Sequence, residues 1–183
     1  SQFLSLIQFT GELDEAQELA QSVAEGQDSG GTARSSAREI LGDIAALRGQ
    51  DKAALRVYEG LDDEVFARYR RRILHIKKEA LSRGEAGHIV LRYMSDRTSA
   101  QERLKRLSAA VKLSPDWPAL HYLRGRLLLS LRKWAPAFEA LGHAQKHLND
   151  LDIDLEIRRL IAAGAFHNGC YEWAARIYGS LAQ

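Results

Sequence analysis

Two histidines, His143 and His147, stand one helical turn apart in the second half of the chain, and Glu139 precedes His143 by another turn. Imidazole groups at this spacing lie on one face of a helix and can begin a zinc site, which takes three or four protein ligands. The sequence supplies no further strong ligand, and the helical phase turns these three side chains toward solvent. We therefore expect no functional metal.

The single cysteine, Cys170, lies three residues after His167 across a predicted helix-helix turn. A nucleophilic cysteine needs a base within reach and a third group that orients the base. No such third residue is suggested, so we expect a small, half-buried cysteine. The chain also has no glycine-rich phosphate loop, no His-Glu-x-x-His and no Gly-x-Ser-x-Gly motif. The sequence therefore predicts no catalytic residue, no cofactor and no enzymatic activity.

Basic residues are concentrated on one predicted helix, residues 63–82. Its basic face comprises Arg68, Arg71, Arg72, His75 and Lys78, and Arg70 and Lys77 add to its charge. Such a face can bind the phosphates of RNA or an anionic membrane, but long basic side chains are also typical of a solvated helix face. Only Tyr69 could stack on a base, and a formal net charge of +2 does not demand nucleic acid as a partner.

The elements that would position these residues are helices. Hydrophobic residues make up 45% of the chain, prolines number three, and no stretch alternates apolar and polar residues as a strand does. We predict eleven helices, beginning with residues 2–9 and 12–25. Ser99 with Glu102 is a capping-box signature, Pro118 suits a first helical turn, and Gly49 suits a helix end. No apolar run reaches the roughly 20 residues of a membrane helix.

A short pattern of small and aromatic residues recurs four times along the chain. It includes Leu41-Gly42 with Gly49, Ala54 and Tyr58, then Gly125 with Trp134, Ala137, Leu141 and Ala144, and then Ile161-Ala162 with Gly169, Tyr171, Ala174 and Tyr178. A truncated copy begins at Phe3-Leu4. Self-similarity at a period of 20–50 residues is typical of stacked repeats rather than of one globule.

These residues resemble the tetratricopeptide repeat, a helix-turn-helix unit of 34 residues, in a divergent and irregular array. The resemblance implies an all-α fold: a right-handed superhelical solenoid of antiparallel helix hairpins. We expect one such domain over 1–183, a fragment of a larger protein, with a truncated repeat at 1–25, repeats at 33–61, 118–148 and 154–182, and an irregular region at 62–113. Arg132 stands where the family pattern has glycine.

Packing follows from the same resemblance. Tyr58, Trp134, Tyr171 and Tyr178 should fill the gaps between hairpins, with Trp134 buried beside Gly125 and Ala137. The segment 62–98 fits no repeat. We expect its basic helix to protrude, cap the array or shift its axis, because it lacks the small residues that close packing needs.

In arrays of this kind the first helix of each hairpin lines a concave groove. The predicted partner-binding groove residues are Glu39, Asp43, Tyr122, Arg126, Leu129, Glu156, Arg159, Phe166 and His167, with Ala46 and Ala163 beside them. An aromatic ring, arginines and acids together could clamp an extended peptide or a partner helix. The alternative is that Tyr122 and Phe166 only pack against a neighbouring repeat.

The sequence thus predicts a non-catalytic scaffold that binds a partner protein or peptide. Its Ala- and Arg-rich composition suggests a bacterial source, in which similar repeats serve envelope assembly, secretion, pilus biogenesis or polysaccharide export. The sequence does not identify the compartment, and both the cytoplasm and the periplasm fit. Two alternatives stay open: an RNA-binding helical-repeat protein that uses residues 68–78, and a structural spacer in a larger membrane machine.

Overall fold

The computed structural model describes residues 13–26, 30–61, 68–95, 98–147 and 151–182, and their side chains except at positions 68, 69 and 151–153. Within these ranges the chain forms ten α-helices and no strand, which confirms the all-α prediction. The helix predicted at 2–9 lies outside the described residues. The helices are α1 (Leu13–Glu25), α2 (Gly31–Leu47), α3 (Asp51–Leu61), α4 (Arg68–Leu81), α5 (Gly84–Ser95), α6 (Ala100–Leu113), α7 (Pro118–Ser130), α8 (Trp134–His147), α9 (Leu151–His167) and α10 (Tyr171–Leu181).

Local sequence signals set several helix ends. Ser99 caps α6, where its hydroxyl accepts a hydrogen bond from the Glu102 backbone N–H at 3.3 Å, and Pro118 opens α7. Left-handed backbone, with φ of 56–80°, marks the four short hairpin turns at Gly49, Gly84, Arg132 and Gly169. The predicted stop at Gly49 is confirmed.

The chain divides into two compact units, Ser1–Thr98 and Ser99–Gln183. In the first unit, α1 packs on α2 through Ala16 and Ala20 against Ile40 and Ile44. Helices α2 and α3 form a hairpin closed at Gly42, where an added Cβ would lie 2.6 Å from the Tyr58 ring. Tyr58 is fully buried, as the repeat pattern predicts.

Helices α4 and α5 form a second hairpin in the first unit, and α5 also packs against α2. The two helices cross so closely that a Cβ at Gly87 would lie 1.7 Å from the Ala80 carbonyl oxygen. Leu74, Ile76 and Val90 fill the interior on either side. The predicted lack of small residues in 62–98 is therefore wrong, because Ala80 and Gly87 provide the close approach. Helix α4 does not protrude from its unit.

The second unit contains α6 and two further hairpins, α7–α8 and α9–α10. Gly125 lies against Leu141 at the same sequence separation that joins Gly42 to Tyr58, so the two hairpins share one internal register. The buried tryptophan is Trp117, at the start of α7, rather than Trp134, which is only partly buried. Tyr171 and Tyr178 are exposed, so their predicted gap-filling role is also wrong.

Several polar contacts join the first helices of successive hairpins at a separation of 34 residues. Lys77 of α4 contacts Asp43 of α2, and Glu156 of α9 contacts Tyr122 of α7, each across 34 residues. Arg70 and Ser36 repeat the same separation of 34. Other contacts between the same helices span 31 residues, from Arg70 to Glu39, and 38 residues, from Lys77 to Glu39, so the array is irregular.

Candidate functional site

Two predicted groove residues, Glu39 and Asp43, belong to a buried ionic cluster in the first unit. The Lys77 ammonium lies 2.8 Å from a carboxylate oxygen of each, and Arg70 donates to Glu39 at 2.9 Å. The Tyr58 hydroxyl donates to Asp43 at 2.6 Å. Asp43 is 4% exposed and Lys77 5%. The structure thus corrects the prediction for Asp43, which is closed to a partner, and Ala46 is likewise buried.

The charges of Lys77 and Glu39 stabilise each other, whereas at Asp43 burial outweighs the effect of Lys77 and raises the pKa of the carboxyl group. Burial alone would lower the pKa of Lys77, but Asp43 and Glu39 raise it above its ordinary value. Burial opposes ionisation of Glu39, yet Lys77 and Arg70 hold its pKa below the usual range. Burial and the Asp43 carboxylate raise the pKa of Tyr58, which stays protonated and donates its hydrogen bond. The cluster therefore fixes the register of α4 on α2 rather than forming a ligand site.

The basic face divides along the same helix. Arg71 and His75 are exposed, Arg72 and Lys78 are partly buried, and the Arg68 side chain lies outside the described residues. Arg70 and Lys77, which the sequence groups with this face, make ion pairs with α2 instead. The cationic surface available to phosphates is therefore smaller than the sequence suggests.

Three predicted groove residues meet between α7 and α9 in the second unit. The Tyr122 hydroxyl donates to the Glu156 carboxylate and accepts from Arg126 at 3.0 Å, while the Arg126 guanidinium lies 3.6 Å from Glu156. Leu129 packs inward instead, since a Cβ at Gly164 of α9 would lie 2.9 Å from its side chain. The structure corrects the prediction for Leu129, which is a packing residue, and for Tyr122, which is 1% exposed and packs against the neighbouring hairpin.

An open groove lies beside this contact, between α9 and α10. Its volume is about 500 Å³, and the lining residues are Glu156, Arg159, Leu160, Ala163, Tyr178, Leu181 and Ala182. Glu156, Arg159 and Ala163 are among the predicted residues. The sequence reasoning missed Leu160, Tyr178 and Leu181 as groove residues, although Leu160 follows the helical stripe that starts at Glu156.

The groove joins an apolar floor to an accessible cation. Leu160, Ala163 and Leu181 supply the floor, and Tyr178 is 45% exposed. Arg159 is exposed and makes no hydrogen bond or ion pair with any residue that the structure describes. Because Glu156 is already engaged by Tyr122 and Arg126, the charge left for a ligand is that of Arg159.

The other two predicted groove residues lie at the end of α9. Phe166 is 54% exposed and packs edge-to-face on Tyr171 with ring centroids 5.3 Å apart. His167 stacks on Trp134 at 6.4 Å. Neither lines the groove, but Phe166 extends the exposed aromatic surface beside it.

Of the three α8 side chains predicted to face solvent, Glu139 and His147 are exposed as predicted, whereas His143 is not. His143 is half-buried and stacks on His121 of α7, with ring centroids 3.8 Å apart, and His147 follows at 4.7 Å. Stacked rings direct their nitrogen lone pairs away from any shared point, and no group of three metal-ligating side chains occurs among the described residues. Cys170 is exposed rather than half-buried.

Comparisons with known proteins add little to this geometry. No family model matches the chain, and no curated protein sequence matches it. A solved structure titled "MamA RS-1 ArsTM double mutant" is similar over 93% of this chain and 84% of that one, at 15% identity and a TM-score of 0.41. In the described part of the chain, none of the helices has the length and apolar character of a membrane span.

Proposed function

We propose that this protein is a non-catalytic interaction module whose α9–α10 groove binds a segment of a partner protein. The observation that carries this proposal is the groove itself, an open and largely apolar depression of about 500 Å³ whose lining includes Arg159. Helix α9, the first of its hairpin, contributes four of the lining residues, in keeping with the predicted role of first helices.

The composition of the groove matches what an interaction site needs. Apolar side chains gain roughly 25 cal/mol for each Å² that a partner removes from water, and tyrosine offers a large contact area with a polar tip. Arginine binds a carboxylate through two parallel hydrogen bonds and is enriched in protein interfaces. A partner segment with an apolar side chain and an acidic group therefore fits this groove.

Site-specific photo-crosslinking tests the proposal. A benzophenone amino acid replaces Leu181 in the groove, and in a matched control it replaces Ala109, an exposed residue of α6 in the same unit. In extracts of the source cells we expect one protein to be captured from position 181 and not from position 109. Capture of RNA, or equal capture from both positions, would contradict the proposal.

The identity of the captured protein also separates the finer roles. Proteins of envelope assembly, secretion, pilus biogenesis or polysaccharide export would each place the module in that process. A subunit of a larger membrane machine that contacts position 181 only as a constant neighbour would favour the structural spacer.

A further inference from the structure

The sequences of the two hairpins in the second unit can be aligned so that their left-handed turn residues, Arg132 and Gly169, occupy the same position. In this register α8 and α10 begin at matching positions, and the buried Ala137 matches the buried Ala174. Each residue that lines the α9–α10 groove then has a counterpart on α7 or α8. The groove is therefore the second copy of a surface that the first hairpin also has.

On the first hairpin this surface is covered by helix α9. Tyr122, the counterpart of Arg159, is 1% exposed and donates to Glu156 of α9. Leu141, the counterpart of Tyr178, is fully buried and lies against Gly125 of its own hairpin. Gln145, the counterpart of Ala182, donates to Asp154 of α9 at 2.6 Å. The occupant of the first copy is thus a helix that presents carboxylates.

A small residue lets α9 approach this surface. Gly164 lies over Leu129 and Phe138, whose side chains would be 2.9 Å from a Cβ at that position. The counterpart of Leu129 on the second hairpin is the exposed Phe166. A helix seated on the second copy would meet the large Phe166 ring at this position, which favours a glycine or alanine opposite it, although Ala175 replaces Phe138.

We propose that the α9–α10 groove receives one amphipathic α-helix of the partner protein, with a carboxylate against Arg159 and, outside the groove lining, a small residue against Phe166. This inference rests on the proposed function and specifies the partner's chemistry. Arg159 replaces Tyr122 as the donor to that carboxylate, so the second copy binds an acid through a charge-assisted bond. A helix has its backbone hydrogen bonds satisfied internally, so it can cover an apolar channel without leaving polar groups unpaired.

The chain itself supplies a probe for this test, because α9 is the helix that occupies the first copy. A capped, fluorescently labelled peptide with the sequence of residues 151–167 is titrated with the 183-residue protein. We expect saturable binding with a dissociation constant on the order of 0.1 mM, weak because an isolated helix of this length is only marginally stable.

Charge exchange identifies the contact. The protein variant Arg159→Glu should bind the peptide roughly tenfold more weakly, and a peptide with Glu156→Lys should recover binding to that variant. The matched control is Arg176→Glu, which makes the same charge change at an exposed α10 residue outside the groove lining. It should bind like the unaltered protein.

Two kinds of negative result distinguish the proposed function of the groove from the proposal that its occupant is a helix. Absence of binding up to about 1 mM peptide, or binding that charge exchange does not alter, overturns the helical occupant. If position 181 still captures a protein, the proposed function stands and its ligand is not a helix. Self-association of the protein that Arg159→Glu abolishes would instead assign the groove to a second copy of this chain and overturn the partner helix.

Discussion

Arg132 carries the left-handed backbone of the α7–α8 turn, with φ of 56°, where the other three hairpin turns use glycine. A side chain in this conformation costs roughly 1–2 kcal/mol, because its Cβ crowds the following carbonyl oxygen. The turn keeps its geometry because α7 and α8 are packed together along their whole length. The packing of the α7–α8 hairpin therefore offsets the backbone strain at Arg132.

Arg132→Gly should stabilise the protein by about 1 kcal/mol. Glycine removes the left-handed strain, although its freer unfolded chain offsets part of the gain. Chemical denaturation measures the free energy of unfolding, with Gly169→Ala as the reverse control, which should lose about 1 kcal/mol. A destabilised Arg132→Gly variant would mean that the arginine side chain makes contacts that outweigh the strain.

Trp117, not Trp134, should dominate aromatic packing in the second unit. Trp117 is 0% exposed, and its truncation to alanine should cost about 3–5 kcal/mol through lost burial and the cavity left behind. Trp134 is partly buried and stacks on His167, so Trp134→Ala should cost only about 1 kcal/mol. Thermal unfolding of the two variants decides this, and equal losses would contradict the assignment.

At the scale of elements, the Lys77 cluster joins α4 to α2. Lys77→Met should destabilise the protein by about 3–5 kcal/mol, because it leaves the buried Asp43 and the neighbouring Glu39 without their shared counterion. The double variant Asp43→Asn with Lys77→Met should be less destabilised than Lys77→Met, since it no longer buries an unpaired charge. Denaturant unfolding gives both values.

A matched surface change separates this effect from loss of a lysine in general. Lys105 is exposed on α6, and Lys105→Met should change stability by no more than about 0.5 kcal/mol. If Lys77→Met were equally mild, the cluster would contribute nothing to the packing of α4 on α2.

The histidine stack between α7 and α8 should make stability depend on pH. Burial, His121 and His147 lower the pKa of His143 below its ordinary value of 6.5, with Lys146 acting in the same direction and Asp116 against it. His143 therefore binds a proton more readily in the unfolded chain than in the folded one. Its protonation leaves the free energy of unfolding unaffected above about pH 6.5 and lowers it as the pH falls below that value. His143→Phe keeps a stacked ring and should flatten this fall. Unfolding temperatures of the unaltered protein and of His143→Phe, measured between pH 7.5 and about 5, test this prediction. The same pH dependence in both proteins would contradict it.

At the scale of the whole molecule, local signals predicted the helices well. The capping pair Ser99 and Glu102, the stop at Gly49 and the close approach at Gly42 depend on a few neighbouring residues, so their patterns are legible in the sequence. The division into two compact units depends on distant contacts, which no local pattern encodes. The crossing at Gly87 depends on Ala80, a near neighbour in sequence, but it lies outside the recurring pattern of small and aromatic residues.

The site was predicted in part for the same reason. Glu156 and Arg159 follow from the helical phase of α9, but the sequence does not reveal which copies of a repeated surface are covered. Asp43 and Tyr178 show both errors. The sequence predicts an accessible acid at Asp43, but Asp43 is buried and paired with Lys77 inside the first unit. It predicts a packing residue at Tyr178, but Tyr178 lines an open groove.

Hydrogen–deuterium exchange of the whole protein, with and without the partner captured from position 181, tests the central claim most directly. Our account predicts slower exchange in residues 156–163 and 178–182, which line the groove, and unchanged exchange in α2 and α4 of the first unit. Protection confined to the first unit, or protection that leaves the groove segments unchanged, would contradict it.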